Sequence, residues 1–161
     1  MIRVQREDFD VGAEIAGLTA GNLAIGGIAS FIGTVREGAS HDGSTTHIGA
    51  ITLEHYPGMT ERQLEAIEAE ALARWKLDAC LIIHRYGRLE PGEQIVLVAT
   101  ASSHRQAALE SCAFLIDWLK TKAPFWKLEE TGAGAEWVAA QGSDDAAAAR
   151  WETPAKPKAA E

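Results

Sequence analysis

The chain has 161 residues, 47% of them hydrophobic and 24% charged, with a formal net charge of −8. This length predicts one domain with a substantial core, and the acidic balance disfavours a nucleic-acid-binding protein. No apolar stretch reaches the roughly 18 residues of a membrane-spanning helix, and the first residues lack the apolar run of a secretory signal. Cys80 and Cys112 have apolar neighbours and are expected to be core residues. We therefore expect a cytoplasmic protein.

Hydrophobic periodicity predicts helices and strands in mixed order along the chain. A short helix over residues 8–20 is followed by strands over 26–37 and 48–58, which we interpret as an antiparallel pair. The segment between these strands, 38–47, is rich in Gly, Ser and Thr and is predicted to be a mobile loop. The clearest amphipathic helix covers 59–76.

Thr60 and Gln63 have the spacing of a capping box at the start of that helix. The later elements are two strands around a Pro-Gly turn, a third helix and two short strands: 79–102, 104–123, 125–130 and 135–139. Pro124 cannot continue the third helix. Because neighbouring strands have hairpin-like connections, the sequence predicts an α+β fold with a mostly antiparallel sheet and three main helices.

The domain is expected to cover residues 1–140. From residue 141 the composition becomes rich in Ala, with Pro and scattered charge. This composition predicts a C-terminal tail over 141–161 that is helical in part or disordered, and flexible. The sequence contains no internal repeat.

The start of the third helix carries two basic residues where cations are unfavourable. Ser103 and Gln106 have capping-box spacing, which makes Ser103 the predicted N-cap and puts His104 and Arg105 in the first turn. The positive end of the helix dipole disfavours cations there by about 0.3–1 kcal/mol. His104 and Arg105, together with the free backbone N–H groups of the first turn, could bind an anion. Arg105 could equally point into solvent.

Further cations lie around the end of the same helix. Lys120 falls in the last turn, where the dipole favours a cation, so helix capping alone accounts for it. Lys127 follows the turn at Pro124, which can fold it back toward Lys120, although both could be surface lysines. Strand alternation puts Lys127 and Glu129 on one face. Arg36 follows a strand and is by itself a weak candidate.

Other common chemistries lack support in the sequence. His41 and His47 lie in the Gly- and Ser-rich loop, which does not provide the fixed ligands of a zinc site. There is no P-loop, dinucleotide-binding fingerprint or nucleophile elbow, and neither cysteine has the electropositive setting of a catalytic thiol. His55 and His84 occur in strands and are interpreted as packing or hydrogen-bonding residues. We predict no metal and no cofactor.

Five segments resemble, in order and spacing, the motifs of one protein family. They are FIGTVR, LEHYPGMTE, HRYGRLEPGE, SSHRQAA and LKTKAPFWKLEE, and the resemblance extends to about residues 136–138. The family is that of the large, catalytic subunit of molybdopterin synthase. The resemblance implies a fold of α/β-hammerhead type, a homodimer at the centre of a heterotetramer, and a small ubiquitin-like subunit at each end.

The same resemblance implies an activity. In that family the small subunit carries sulfur as a thiocarboxylate on its C-terminal Gly-Gly, and the large subunit transfers this sulfur to cyclic pyranopterin monophosphate. Two transfers make the dithiolene of molybdopterin, a step of molybdenum cofactor biosynthesis. Both reactants are anionic, which would explain a basic cluster in an acidic chain. The sulfur is already activated, which would explain why no catalytic cysteine is found.

The matching motifs also imply site residues. Substrate contacts fall on Thr34, Val35, Arg36, His104, Arg105, Lys120, Lys127, Leu128 and Glu129, and the implied catalytic residues are Lys120 and Lys127. His104 and Arg105 would reach the pocket from the other protomer. Leu128 stands where members often have another charged residue, so a backbone contact is expected there. The tail beyond residue 140 has no clear counterpart in the family.

Two other functions stay open at this point. A non-catalytic dimeric module could bind a ubiquitin-like tail or a phosphorylated small molecule, although loss of a lysine would mark that state and both lysines are present. An unrelated anion-binding α+β protein would require five coincidental motif matches. Co-purification with a small protein ending in Gly-Gly separates this last possibility from the other two.

Overall fold

The computed structural model describes residues 1–38, 47–138 and 142–152. The strands in these ranges are β1 (Ile2–Gln5), β2 (Gly27–Thr34), β3 (Ile48–His55), β4 (Ala79–Arg85), β5 (Gly87–Leu89), β6 (Gln94–Ser102), β7 (Phe125–Thr131) and β8 (Gly134–Val138). The helices in these ranges are α1 (Val11–Thr19), α2 (Met59–Arg74), α3 (Arg105–Lys122) and α4 (Gly142–Ala149). Among the described residues, no helix is both long enough and apolar enough to cross a membrane.

Two four-stranded sheets organise the fold. The first has the order β1-β4-β6-β2, in which β1 is parallel to β4 and the other pairs are antiparallel. The second has the order β5-β3-β7-β8, and all of its pairs are antiparallel. The predicted α+β class with mostly antiparallel pairing is therefore confirmed. The sequence prediction missed β1, whose four residues are too few to establish a period.

β2 and β3 do not form the antiparallel pair that the sequence suggested. β2 pairs with β6 in the first sheet, whereas β3 pairs with β5 and β7 in the second. Most of the predicted loop over 38–47 lies outside the described residues, and its mobility stays a prediction. Strands that are separated by a long connection can join different sheets, and the alternating pattern of each strand does not distinguish the two arrangements.

The main core lies between the first sheet and the helices α2 and α3. Leu64 of α2, Phe114 of α3 and Ile82 of β4 are fully buried members of this cluster. The two cysteines, Cys80 and Cys112, belong to the same cluster and are free thiols, as predicted. A smaller cluster with partly buried residues of α1 forms on the opposite face of β4 and β6. The first sheet is thus covered on both faces and fixes the position of α3.

α2 begins differently from the prediction. Its N-cap is Gly58, with φ of 79°, and the N–H of Gly58 donates to Glu61 Oε2 at 2.5 Å. A positive φ suits glycine because it has no Cβ. Thr60 lies in the first turn, and its hydroxyl donates to the carbonyl oxygen of Pro124 at 3.4 Å. The capping contact therefore joins Gly58 and Glu61, and the predicted Thr60–Gln63 box is wrong.

α4 packs against α3 and brings a tryptophan to the core. The ring of Trp151 lies 5.7 Å from that of Phe114, edge to face. Asp117 of α3 accepts a hydrogen bond from the Trp151 indole N–H at 2.7 Å and another from Arg150 Nη2 at 2.6 Å. The first part of the predicted tail thus contacts the domain. Residues 153–161 lie outside the described residues, and the flexibility of the tail stays a prediction.

Trp151→Ala is expected to lower the free energy of unfolding by about 1–3 kcal/mol, because it removes a partly buried aromatic ring and its hydrogen bond. Urea denaturation of the full chain measures the effect. Glu152→Ala, at the exposed neighbouring residue, is the control and should change stability by less than about 0.5 kcal/mol. Equal midpoints for wild type and Trp151→Ala would mean that this contact adds nothing to stability.

Candidate active site

α3 carries two groups of predicted site residues that are far apart. His104 is its N-cap and Arg105 its first residue, whereas Lys120 lies in its last turn. At a rise of about 1.5 Å per residue, Arg105 and Lys120 are separated by about 22 Å along the helix axis. A small bound molecule is too short to contact both groups within one chain.

The N-terminus of α3 is displaced by one residue from the prediction. The N-cap is His104, with φ of −126° and ψ of 130°, and no side chain caps the helix. The predicted Ser103–Gln106 box is therefore wrong, and Gln106 Nε2 instead donates to Glu110 Oε1 at 2.6 Å. His104 and Arg105 are both exposed. Their side chains are accessible to an anion beside the first-turn N–H groups of α3.

β7 presents two charged residues on one face, as strand alternation predicts. Lys127 Nζ lies 2.6 Å from Glu129 Oε1, and the side chains are 36% and 19% exposed. This ion pair holds the ammonium group of Lys127 in one place on the strand. Leu128 points to the opposite face, where it lies in register with Thr52 and Trp137. The Leu128 side chain is therefore not on the face that carries Lys127.

The end of β2 meets the same face of the second sheet. Val35 is buried in one hydrophobic cluster with Ile51 and Leu53 of β3. The residues of β7 that pair with Ile51 and Leu53 are Glu129 and Lys127. Directly paired residues of antiparallel strands point to the same side of a sheet. The Val35 side chain therefore packs on the side of the sheet that carries the lysine and the glutamate.

Thr34 and Arg36 flank this buried valine and are themselves exposed. The Val35 backbone is fixed by two hydrogen bonds, since its N–H donates to Glu93 O at 2.9 Å and its carbonyl accepts from Gly92 N–H at 2.8 Å. The backbone is thus held on both sides while the neighbouring side chains stay accessible.

Lys120 lies at the same end of the molecule as Thr34. Position 27 of β2 is adjacent to Arg105, since a Cβ on Gly27 would lie 3.6 Å from the Arg105 Cα. From there α3 runs alongside β2. The groove between them is lined by Ala29, Ser30, Phe31, Leu109, Cys112, Ala113, Ile116 and Asp117. Thr34, Arg36 and Lys120 thus share one end, close to the start of β7, while His104 and Arg105 occupy the other.

Metal and thiol chemistry find no support in the described residues. The described ranges contain no group of three or more His, Cys, Asp or Glu side chains that could hold a metal ion, and His41 lies outside those ranges. Burial and the nearby Glu68 carboxylate raise the pKa of Cys80 to about 12. Burial raises the pKa of Cys112 to about 11. Neither thiol forms a thiolate near neutral pH.

Comparison with known proteins identifies the family. The family model described as MoaE protein matches residues 4–122. A molybdopterin synthase catalytic subunit from Ralstonia nicotianae is 55% identical over 150 residues, covering 93% of this chain and 83% of the relative. The chain belongs to the MoaE family. The sequence motifs indicate a molybdopterin synthase catalytic subunit, an enzyme of molybdenum cofactor biosynthesis, and the comparisons confirm that prediction.

Solved structures support the same assignment to the MoaE family. The molybdopterin biosynthesis MoaE protein from Burkholderia ambifaria MC40-6 has a TM-score of 0.80 and 52% identity, covering 95% of this chain and 98% of that one. A complex of subunits 1 and 2 of molybdopterin-converting factor from Helicobacter pylori 26695 has a TM-score of 0.68 and 19% identity, covering 85% and 89%. The second likeness concerns the fold alone.

In this MoaE family member, buried side chains hold the turn that separates the two lysines. The ring of Phe125 stacks on His84, with centroids 3.7 Å apart and planes at 14°. His84 is buried, and its Nδ1 donates to the Arg85 carbonyl oxygen at 2.8 Å. The Thr60 hydroxyl adds its bond to Pro124 O. The packing role predicted for His84 is confirmed, whereas no local pattern in the sequence links Thr60 to Pro124.

The stability of this MoaE protein is expected to fall as the pH drops from about 6.5 to about 4. Burial lowers the pKa of His84 from 6.5 to about 4, while its bond to the Arg85 carbonyl partly opposes the shift. In this window the unfolded chain binds a proton that the folded chain does not. The free energy of unfolding therefore rises with pH by about 1.4 kcal/mol per unit from this residue.

Urea denaturation of wild type and His84→Gln between pH 4.5 and 7 measures this contribution. The variant keeps the pH dependence of the other groups and loses that of the imidazole, so the difference between the two curves isolates His84. Parallel curves would contradict the prediction.

Proposed function

We propose that this MoaE family member moves sulfur from the C-terminal thiocarboxylate of a small ubiquitin-like subunit onto cyclic pyranopterin monophosphate, making the dithiolene of molybdopterin. The observation that carries the proposal is that Val35, the neighbour of Arg36, packs against the β3 residues that pair with Lys127 and Glu129, in a chain whose net charge is −8. A basic cluster against that background suits two anionic reactants, a phosphate-bearing pterin and a thiocarboxylate.

The lysines are the proposed catalytic groups. Lys120 and Lys127 position the thiocarboxylate, stabilise the negative charge that develops on its oxygen, and supply or accept protons. Glu129, paired with Lys127 at 2.6 Å, orients one ammonium group toward the substrate. Thr34, Val35 and Arg36 line the pterin side, and Leu128 contributes through its backbone. A catalytic cysteine is not needed, because the sulfur arrives already activated on the partner.

His104 and Arg105 complete the site from a second copy of the chain. Support comes from the length of α3, because the distance of about 22 Å between Arg105 and Lys120 along its axis is too long for one substrate to span. The proposed assembly is a homodimer with a small subunit ending in Gly-Gly bound at each end. The Helicobacter pylori structure with this fold is a complex of two different subunits. Two free, buried thiols suit the reducing cytoplasm, which we propose as the location.

A single-turnover assay tests the function. Purified chain is mixed with thiocarboxylated small subunit and cyclic pyranopterin monophosphate, and the dithiolene product is measured. We expect product from wild type and none from a mixture that lacks the chain. Binding of the small subunit without any product would instead support a non-catalytic binding module.

A further inference from the structure

We propose that His84 and Thr60 are positioning residues for sulfur transfer. They hold the turn between Lys120 and Lys127, and so fix where the Lys127 ammonium group lies relative to Lys120. This proposal rests on the proposed function, in which both lysines act on one thiocarboxylate. Neither His84 nor Thr60 touches the substrate, and both act through Lys127.

The connection between the two lysines is short and sharply bent. Residues 123 and 124 alone separate the end of α3 from the start of β7. The Phe125 N–H donates to the carbonyl oxygen of Ala123 at 2.9 Å, and a hydrogen bond between residues two apart closes a γ-turn. The direction in which β7 leaves this turn therefore determines how far Lys127 lies from Lys120.

The ion pair of Lys127 does not fix that direction. Lys127 Nζ lies 2.6 Å from Glu129 Oε1, but both residues belong to β7. The pair therefore holds the ammonium group relative to its own strand and moves with it. A contact from outside β7 is needed to fix Lys127 relative to α3.

A ring stack supplies such a contact, because it joins the start of β7 to the first sheet. The Phe125 ring lies on the His84 imidazole, with centroids 3.7 Å apart and planes at 14°. His84 belongs to β4, in the sheet on which α3 packs. The imidazole is itself held, since it is buried and its Nδ1 donates to the Arg85 carbonyl oxygen at 2.8 Å. The stack thus ties the strand of Lys127 to the sheet that supports the helix of Lys120.

The stacked ring is close to the lysine on the same side of β7. Alternate residues of a strand point to one face, and their Cα atoms are about 6.6 Å apart. Phe125 and Lys127 are such a pair. A rotation of β7 after loss of the stack would therefore displace the Lys127 side chain together with the Phe125 ring.

Thr60 supplies a second contact on the same turn. Its side chain is fully buried, and its hydroxyl donates to the carbonyl oxygen of Pro124 at 3.4 Å and accepts from the Tyr56 N–H at 3.1 Å. Tyr56 follows β3, the strand that pairs with β7. The hydroxyl therefore links the turn to the start of α2 and to the end of β3.

A double-mutant cycle in the full chain tests the positioning role. His84→Leu removes the stacked ring and keeps a buried side chain of similar size. We expect the single-turnover rate at saturating pterin to fall by about tenfold or more, because small displacements of a catalytic group are costly. The half-saturating pterin concentration should stay within about twofold of wild type, since binding is not the step that is lost.

The second half of the cycle repeats His84→Leu in a Lys127→Ala background. The rate should change by less than about twofold there, because no ammonium group is left to position. Equal fold losses in both backgrounds would mean a general structural effect and would overturn the proposal.

A matched pair at Thr60 decides the proposal if His84→Leu does not fold. Thr60→Val has nearly the same shape without the hydroxyl, whereas Thr60→Ser keeps the hydroxyl. We expect Thr60→Val to lose about fivefold or more in the single-turnover rate and Thr60→Ser to stay within about twofold of wild type. Equal rates for the two variants would overturn the positioning role of the hydroxyl.

Nuclear magnetic resonance measures the position of Lys127 without sulfur transfer. Lysines are dimethylated with carbon-13, which keeps their charge, and the Lys127 signal is assigned by its loss in Lys127→Arg. His84→Leu and Thr60→Val should each shift this signal and leave that of Lys122 unchanged. An unmoved Lys127 signal in both variants would overturn the proposal.

The two kinds of measurement separate the two proposals. A shifted Lys127 signal in a chain that makes no dithiolene would defeat the proposed function alone. An active wild type with an unmoved Lys127 signal in both variants would defeat the positioning role alone.

Discussion

Replacing either Lys120 or Lys127 by alanine is expected to lower the single-turnover rate of dithiolene formation by about 100-fold or more. A loss of this size corresponds to about 2.7 kcal/mol or more of transition-state stabilisation, a typical effect of removing one group that stabilises developing charge. Lys127 is half-buried and paired with Glu129, so the ammonium group that we propose as catalytic is held in one place on β7. The rate at saturating pterin separates this loss from a loss of binding.

Lys122→Ala is the matched control for both variants. Lys122 lies in the same last turn of α3 as Lys120, but its Nζ lies 3.7 Å from the centroid of the Trp118 ring, which indicates a surface cation–π contact. Removing it changes the net charge by the same amount as the test substitutions. We expect its rate to stay within about twofold of wild type, well under the tenfold that 1.4 kcal/mol would produce. If Lys120→Ala and Lys127→Ala react as fast as Lys122→Ala, Lys120 and Lys127 are surface lysines without a catalytic role.

The parts of this molecule that the sequence predicts well are those set by local periodicity. Alternation along residues 125–130 predicts that Lys127 and Glu129 share a face, and the ion pair confirms it. Pro124 correctly predicts the end of α3, because a proline cannot continue a helix. The α+β class follows in the same way from short strands that alternate with amphipathic helices. In each case the physical cause acts over a few neighbouring residues.

The parts that the sequence does not predict depend on contacts between distant segments. Nothing local determines that β2 and β3 join different sheets, yet that separation lets Val35 pack on Ile51 and Leu53. Both cap predictions failed for a related reason. Capping-box spacing can occur at neighbouring positions, and the start of α3 is further constrained by its close approach to Gly27. The bounds of α3 alone give the distance of about 22 Å between Arg105 and Lys120 along the helix axis. Which residues lie near each end of α3 also depends on the direction of α3 relative to β2.

Combining two inactive variants in one dimer is expected to restore half of the wild-type activity. Lys120→Ala and Arg105→Ala each leave a homodimer without a complete site if the site takes Lys120 from one copy and Arg105 from the other. In a heterodimer of the two variants, one site lacks both residues and the other has both. Co-expression with two different affinity tags isolates this heterodimer, and the single-turnover assay compares it with wild type and with each homodimer.

A second heterodimer, of Lys120→Ala with Lys127→Ala, is the control that makes the first result specific. In the proposed site both lysines come from the same copy, so each site in this heterodimer still lacks one of them, and activity should stay at the level of the homodimers. Recovery in the first pair and not in the second requires that Arg105 act across the dimer. If neither pair recovers, His104 and Arg105 serve the site of their own chain or none. In that case Arg105 and Lys120 of one chain could contact the same substrate only if α3 moved.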